Sequence, residues 1–490
     1  MAVRGIAKPR CVWISAVSSF SSGCKWGVLG AVSLLFTLTV GRWQARDSLP
    51  PALDPLPQDP QIQVYFNQVQ SDTYRDAYRD IERYGDDLEH QIIAVIEQAR
   101  VSIDVAVHEL NLPGIAQALR ERSQAGVAVR VILEDTYSRS WSQFTPTDLA
   151  DLDGRDRTKY EDFLQLTDGD GDGQLSPDEL SQRDALYILQ QAQIPILDDT
   201  ADGSKGSGLM HHKFMVVDGR YVVTGSANWT LSGIHGDLDN PDSRGNTNHI
   251  IVLDSVPVAR IFQQEFTYLW GDGPGGAPDS LFGLGKPYRP AQTVSLPGSI
   301  LTVQFSPTSS SRPWTQSGNG LIDQILRTAT QQVSLALFVF SDQPLSDTLA
   351  ARSEAGVEVS ALIDPSFVYR GYSEALDMLG LAMPDHRCQY EANNRPWPSP
   401  ILTVGTAELP PGDKLHHKFA VIDSNIVISG SQNWSQAANQ LNDENLVVIH
   451  NPTVAAHFQR EFDRLYNLGE VGITPELQVR LQKQRRKCNL

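Results

Sequence analysis

Two short stretches carry the residues best suited to chemistry. His211, Lys213 and Asp218 form His-x-Lys-x₄-Asp inside "GLMHHKFMVVDGRYVVTGSANWT", and His416, Lys418 and Asp423 repeat it inside "DKLHHKFAVIDSNIVISGSQNWS". Each motif continues into Gly-Ser-x-Asn-Trp, giving Ser226, Asn228 and Trp229 in the first copy and Ser431, Asn433 and Trp434 in the second. Side chains of an extended strand alternate faces, so each motif histidine shares a face with its lysine, and His212 and His417 point away. An imidazole beside an ammonium suits phosphate. Lysine is a point charge for phosphate oxygens, Asn and Ser donate hydrogen bonds to them, and imidazole serves as nucleophile or proton carrier near neutral pH. Brought together about a pseudo-two-fold axis, the copies surround one phosphorus. One histidine attacks, the other protonates the leaving oxygen, and water then cleaves the phosphohistidine. Asp218 and Asp423 complete the motifs, with carboxylates suited to pairing with backbone or basic groups. Trp229 and Trp434 read either as flanks for the substrate or as packing beneath the Gly-Ser turn. Zinc is disfavoured. Adjacent strand histidines face opposite ways, and no carboxylate or Cys stands at ligand spacing.

The elements that must position these residues are duplicated too. "VSIDVAVHELNLPGIAQALRERSQAGVAVRVILED" (from Val101) and "VSLALFVFSDQPLSDTLAARSEAGVEVSALID" (from Val333) register Arg122 with Arg352, an offset of 230 residues. Each unit reads as helix, β-rich strand, amphipathic helix ending in Ala-Gly, and strand. That is an α/β pattern in a duplicated domain. The offset falls to 189 at Pro195 and Pro384 and stands at 205 for His211 and His416. The first half therefore holds an insertion after Asp135, and the second half a smaller one before its motif. The boundaries are a leader and Pro-rich linker over 1–60, a first lobe over 61–280 with an insertion at about 140–183, and a second lobe over 281–490.

The first insertion contains "DGDGDGQLSPDE", Asp168 to Glu179. It fits the helix-loop-helix calcium pattern at every specified position. Asp168, Asp170, Asp172 and Glu179 supply carboxylates, Gln174 a backbone carbonyl, Ser176 a ligand or bound water, and Gly173 the turn. The expected ion is a structural Ca²⁺. An acidic surface loop is the plainer reading.

Two complete motifs in a duplicated α/β chain resemble the phospholipase D superfamily, whose HKD motif is His-x-Lys-x₄-Asp followed by Gly-Ser-x-Asn. The resemblance covers roughly Ile62 to Leu468 apart from the insertion. It implies two α/β/α lobes with mixed sheets about a pseudo-two-fold axis and chemistry with no catalytic cofactor; the inserted helix-loop-helix is added to that fold. Family members cut phospholipids or nucleic acids. One departure stands out. In the family an acid usually follows each motif and orients a histidine. Glu444 fills that place in "NDENLVVI", but "NTNHIIVL" puts Asn248 there in the first half. Glu444 is therefore expected to raise the pKa of His416, favouring it as the acid and leaving His211 as nucleophile. Alternatively, an acid from "GDLDNPD" (Asp237, Asp239 or Asp242) reaches in.

Composition bounds the rest. The 490 residues carry 58 acids against 40 Lys plus Arg, a net charge of −18, which argues against a surface built for duplex DNA and offers no overall attraction to anionic lipid. "WGVLGAVSLLFTLTV", Trp26 to Val40, follows Arg4, Lys8, Arg10 and Lys25. It reads as a signal anchor or signal peptide that places the lobes outside the cytoplasm and at a membrane. Cys388 and Cys488 pair in an exported domain or stay free. The expected substrate is a phospholipid phosphodiester, with DNA or RNA as the alternative. A monomer suffices, because both motifs lie in one chain.

Overall fold

The computed structural model describes residues 53–204 and 208–489. The apolar leader, Trp26 to Val40, lies outside the described residues. Among the described residues, no helix is long and apolar enough to cross a membrane. The end of the Pro-rich stretch is fastened down. Gln58 exchanges hydrogen bonds with the Val64 backbone, and Arg460 and His457 donate to the Asp54 and Pro57 carbonyls.

The first lobe is built on a seven-stranded sheet in the order Ile62–Phe66, His249–Asp254, Tyr221–Gly225, Lys213–Val217, Ser102–Val107, Ala128–Leu133 and Ile196–Asp198. The second is a nine-stranded sheet. Its middle seven strands repeat that order as Ser299–Phe305, Asn445–His450, Ile426–Gly430, Lys418–Ile422, Gln332–Leu337, Glu358–Ile363 and Val404–Thr406. Gln292–Leu296 and Glu470–Val471 add the edges. In both sheets the Ser102 and Gln332 strands run parallel to the strand after their crossover helix and antiparallel to the motif strand. The expected mixed α/β fold is present in both lobes.

Sequence explains the layers. Both motif strands are buried along their whole length, "KFMVV" and "KFAVI", as strands covered on two faces must be. Outside, the first sheet is covered by helices Leu88–Glu97 and Pro113–Gln124 and the second by Gly318–Leu326 and Gln343–Glu354. Gly126 and Gly356, at φ 91° and 92°, turn the chain from each crossover helix into its next strand. Inside lie two long helices, Val256–Trp270 and Pro452–Leu468, each started by a capping side chain (Ser255, Asn451) and a proline in the first turn. They join the lobes through one shared core. Phe66 of the first lobe meets Phe458 of the second edge-on at 5.2 Å, and Phe305 of the second meets Phe262 of the first at 5.3 Å. Burying such a ring stabilises by about 1.5–3 kcal/mol. The insertion forms helices Pro146–Ala150, Gly154–Thr167 and Pro177–Arg183. Cys388 and Cys488 form a disulfide.

Candidate active site

Where the strands begin decides which groups meet. Met210 and Leu415, each one residue before a motif histidine, form β-bridges to the opposite lobe, Met210 to Asp443 and Leu415 to Thr247. The His211 N–H donates to the Asp443 carbonyl (3.0 Å), and the Thr247 N–H to the Lys414 carbonyl (2.8 Å). Each motif is thus laid against the partner lobe's segment leading to residue 444 or 248, and the orienting groups cross between lobes.

This crossing corrects the pairing expected from sequence. Glu444 orients His211, not His416. The His211 Nδ1 donates to Glu444 Oε2 at 2.7 Å, and Glu444 also accepts from the Ser431 hydroxyl (2.7 Å) and the Asn442 amide (3.1 Å). The His416 Nδ1 donates to Asn248 Oδ1 at 2.9 Å. Asn248 Nδ2 donates to the Gly233 carbonyl (2.7 Å), so the amide can only present its oxygen to the imidazole. Asp237, Asp239 and Asp242 are not the partner of His211. With both Nδ1 atoms donating, each histidine keeps Nε2 for the reaction.

Ser226 and Ser431 also have a different task from the expected one. Each hydroxyl has one proton. Ser226 gives it to Asn248 Oδ1 (2.8 Å) and Ser431 gives it to Glu444. They position the orienting groups and do not donate to a phosphate. Asn228 and Asn433 stay half-buried, and among the described residues their side-chain oxygens are buried without a partner. Their amides remain available for a phosphate.

Asp218 and Asp423, which the motif groups with the catalytic residues, stand apart from the chemistry and pair with backbone, as their carboxylates suggested. They lie at the far end of the motif strands. Asp218 accepts from the Arg100, Val101 and Ser102 N–H groups, and Asp423 from those of Thr330, Gln331 and Gln332, all at 2.8–2.9 Å. Each clamps its motif strand to the start of the neighbouring central strand. Trp229 and Trp434 are 1% and 0% exposed and pack in the outer cores, so they do not flank a substrate. His212 and His417 point away, as alternation requires, toward Glu265 (3.3 Å) and Glu461 (3.0 Å).

Electrostatics make the cleft an anion site. Burial first, then the nearby Lys213 and Lys418, hold both His211 and His416 well below the usual imidazole pKa. Burial likewise lowers Lys213 to about 7 and, with repulsion from Lys213, holds Lys418 well below the usual range. The lysine Nζ atoms donate to the His211 and His416 carbonyls at 3.0 and 2.5 Å. Four groups whose charged forms oppose one another are relieved together by one anion. Burial also raises Glu444 to about 7 against the pull of Lys213.

Sequence reading missed the groups beside the rings. His108 packs edge-on against His211 with centroids at 5.0 Å, and Phe338, its counterpart at the same 230-residue offset, packs against His416 at 4.9 Å. Behind them stand Tyr137 on His108 and Phe367 on Phe338. On the first side, Lys159 from the inserted helix pairs with Glu109 at 2.8 Å and lies 4.0 Å over the Tyr137 ring. A polar His at the end of the apolar run "SIDVAV" was the available signal.

The inserted loop brings carboxylate oxygens of Asp168, Asp170 and Asp172 within 4.8 Å of one another. Gly171 and Gly173 take left-handed φ values of 72° and 79°. Glu179 sits at the first turn of the following helix and accepts from the Ser176 N–H (2.9 Å) and hydroxyl (2.8 Å) and then the Gly169 N–H (2.7 Å), which hold its pKa down to about 2. Gln174 is exposed, and its N–H donates to Asp172. The donor set is hard oxygen, which fits calcium.

Residues 92–270 and 322–466 match the family model described as "Cardiolipin synthase, PLD-like domain". This is more than half of the chain, and the chain belongs to that family within the phospholipase D superfamily. The mitochondrial cardiolipin hydrolase of Xenopus tropicalis is 26% identical over 181 residues, 37% of this chain and 60% of the relative. The chain thus spans less than two thirds of that relative's length. Among solved structures, phosphatidylserine synthase from Haemophilus influenzae Rd KW20 matches 90% of this chain and 96% of its own at a TM-score of 0.51 and 14% identity, a likeness of fold. Nuc from Salmonella typhimurium, a phospholipase D family member, covers 35% of this chain and 97% of its own at 25% identity and a TM-score of 0.28.

Proposed function

We propose that this protein hydrolyses a phospholipid phosphodiester through a phosphohistidine, with one histidine from each lobe. The crossed pairing of His211 with Glu444 and His416 with Asn248 carries the reading, because each histidine is oriented from the other lobe, Lys213 and Lys418 act on both imidazoles, and the partners make them unequal. A carboxylate stabilises the positive charge that forms on a histidine as it attacks, and an amide does not. His211 is therefore the nucleophile and His416 the acid. The substrate's anionic phosphodiester offsets Lys213 and Lys418, so that His416 binds a second proton, at Nε2. His211 Nε2 attacks phosphorus, the bond from phosphorus to the leaving oxygen breaks, and that His416 Nε2 proton goes to the oxygen. Water then attacks the phosphohistidine and loses its proton to His416. The P–N bond breaks, its electrons return to His211, and a phosphomonoester leaves. Lys213, Lys418, Asn228 and Asn433 stabilise the equatorial oxygens. No cofactor enters these steps.

Lipid is favoured over nucleic acid by the curated relatives that carry the cardiolipin hydrolase name, and by the acidic balance of the chain. The enzyme acts outside the cytoplasm, tethered at a membrane through its N-terminal segment. The Cys388–Cys488 disulfide supports that compartment. Ca²⁺ bound through Asp168, Asp170, Asp172, Gln174 and Glu179 ties the inserted helices together as a structural ion. A monomer is sufficient. The test is to incubate the protein with phosphatidylcholine, cardiolipin and single-stranded DNA, beside His211→Ala and His416→Ala. Release of phosphatidic acid, lost in both variants, supports the reading. Cleavage of DNA alone replaces it with the nuclease reading.

A further inference from the structure

The last helix departs from the chain's overall acidity. Helix Pro475–Lys487, "PELQVRLQKQRRK", buries Leu477 and Leu481 against the second lobe. At helical spacing its outer face carries Val479, Lys483 and Arg486, flanked by Arg485 and Lys487. Val479 is 64% exposed, and Lys483, Arg485, Arg486 and Lys487 are exposed. Among the described residues none of these four cations forms an ion pair. The helix holds one acid, Glu476, at the opposite end from the cations; exposed Glu470 lies beyond it. A chain of net charge −18 therefore displays a concentrated positive face.

Exposed apolar groups lie at the other end of the same helix, beside its first turn. Leu402 is 61% exposed and Ile473 39%, and the turn at Gly472 sets the two segments side by side by donating to the Val404 carbonyl. On the other flank a groove of about 490 Å³ is lined by Tyr369, Tyr372 and Tyr390, with Arg370 and Arg480 set against the acids Asp385 and Glu391. Tyr372 and Tyr390 are 43% and 46% exposed. The Cys388–Cys488 disulfide and a Gln484-to-Asp385 carbonyl hydrogen bond fasten the helix end to the groove wall. The segment that supplies Tyr369 also supplies Phe367, which backs Phe338 against His416. One segment thus contributes both to the groove wall and to the rings behind His416.

We propose that this helix and groove form a docking face for an anionic phospholipid bilayer. The cations meet headgroup phosphates, the tyrosines sit at interfacial depth, and Val479, Leu402 and Ile473 reach the acyl boundary. Single-stranded nucleic acid would use the cations and aromatic rings, but exposed aliphatic side chains offer nothing to phosphates or base edges. The proposal deepens the lipid reading above and rests on it for the identity of the surface.

The test uses the full chain and two sets of vesicles, phosphatidylcholine alone and phosphatidylcholine with phosphatidylglycerol. The measured quantity is the ratio of partitioning into the two sets, compared between wild type and variant, because the N-terminal segment with Arg4, Lys8, Arg10 and Lys25 contributes equally to both proteins. Wild type favours the anionic vesicles, and salt weakens that preference. Each basic residue near an anionic surface contributes about fivefold, so Lys483→Gln with Arg486→Gln lowers the ratio by about twentyfold or more. Val479→Ser lowers binding to both vesicle sets by a few-fold. Neither variant changes turnover of the soluble ester bis(p-nitrophenyl) phosphate. An unchanged ratio in the Lys483/Arg486 variant overturns the proposal. So does a loss of oligonucleotide binding in that variant while Val479→Ser binds vesicles as wild type does. If vesicle lipid is hydrolysed but the ratio is unchanged, docking fails and the lipid reading stands. If the ratio falls but no lipid is hydrolysed, docking stands and the lipid reading fails.

Discussion

The two lobes share strand order, capping pattern and motif, yet they surround their histidines differently. His211 has a buried carboxylate at Nδ1 and a second imidazole, His108, against its face. His416 has an amide at Nδ1 and Phe338 against its face. Behind them the first lobe continues into Tyr137, Glu109 and Lys159, and the second into Phe367. Duplication supplied the scaffold, and a few substitutions divided the labour. The half that attacks needs support for a developing cation. The half that gives up a proton is helped by having none.

The comparison is most severely tested at the orienting groups. Glu444→Gln leaves the hydrogen bond but removes the charge, and should lower kcat by about 10³–10⁴-fold, as loss of charge behind a catalytic imidazole does. Asn248→Ala should cost about 10–100-fold, the usual loss for a group that only orients. Steady-state rates on the soluble ester and on lipid decide the ranking. Equal losses would erase the division of labour.

Glu444 also predicts a pH signature. Burial raises its pKa from 4.5 to about 7, so the folded state holds a proton that the unfolded state has released in that window. Its contribution to stability is therefore lost as pH rises from about 4.5 to about 7. Glu444→Gln should remove that decline and melt higher than wild type at pH 8, where it is nearly inactive. Thermal melts at pH 5 and pH 8 check the sign.

Smaller effects refine the picture. Ser431→Ala removes one of three donors to Glu444 and Ser226→Ala one of two to Asn248 Oδ1; each bond is worth about 1 kcal/mol, or about fivefold in rate. Ser431→Ala should also shift the acid limb of the pH–rate profile upward, because Glu444 loses a donor that favours its ionised form. Ser226→Ala should leave that limb in place. The insertion belongs to one lobe alone, so Ca²⁺ should raise the melting temperature, chelator should lower it, and Asp170→Ala should abolish the response while leaving His211 chemistry within a few-fold of wild type.

Much of this was legible in the sequence. The repeats registered Arg122 with Arg352 and predicted two α/β lobes, the change of offset located both insertions, and alternation placed His212 and His417 on the far face. The partner of each histidine was not legible. Neighbours along the chain suggested that Glu444 serves the motif it follows, but the bridges from Met210 to Asp443 and from Leu415 to Thr247 exist only once the lobes have packed. The motif's spelling groups Asp218 and Asp423 with the histidines and lysines, although a strand of five residues carries them away from its reactive end. His108 was hidden for a different reason: a histidine ending an apolar strand looks like core until the neighbouring motif strand of its own sheet lays His211 against it.

One measurement goes directly to the division of labour. The enzyme is mixed with a phosphodiester, quenched in alkaline denaturant within the first turnover, digested, and its phosphopeptide located by mass spectrometry. The account predicts phosphate on His211 in wild type. A phosphoryl group found on His416 would show that the amide-backed histidine attacks, and would contradict the assignment that the crossed carboxylate supports.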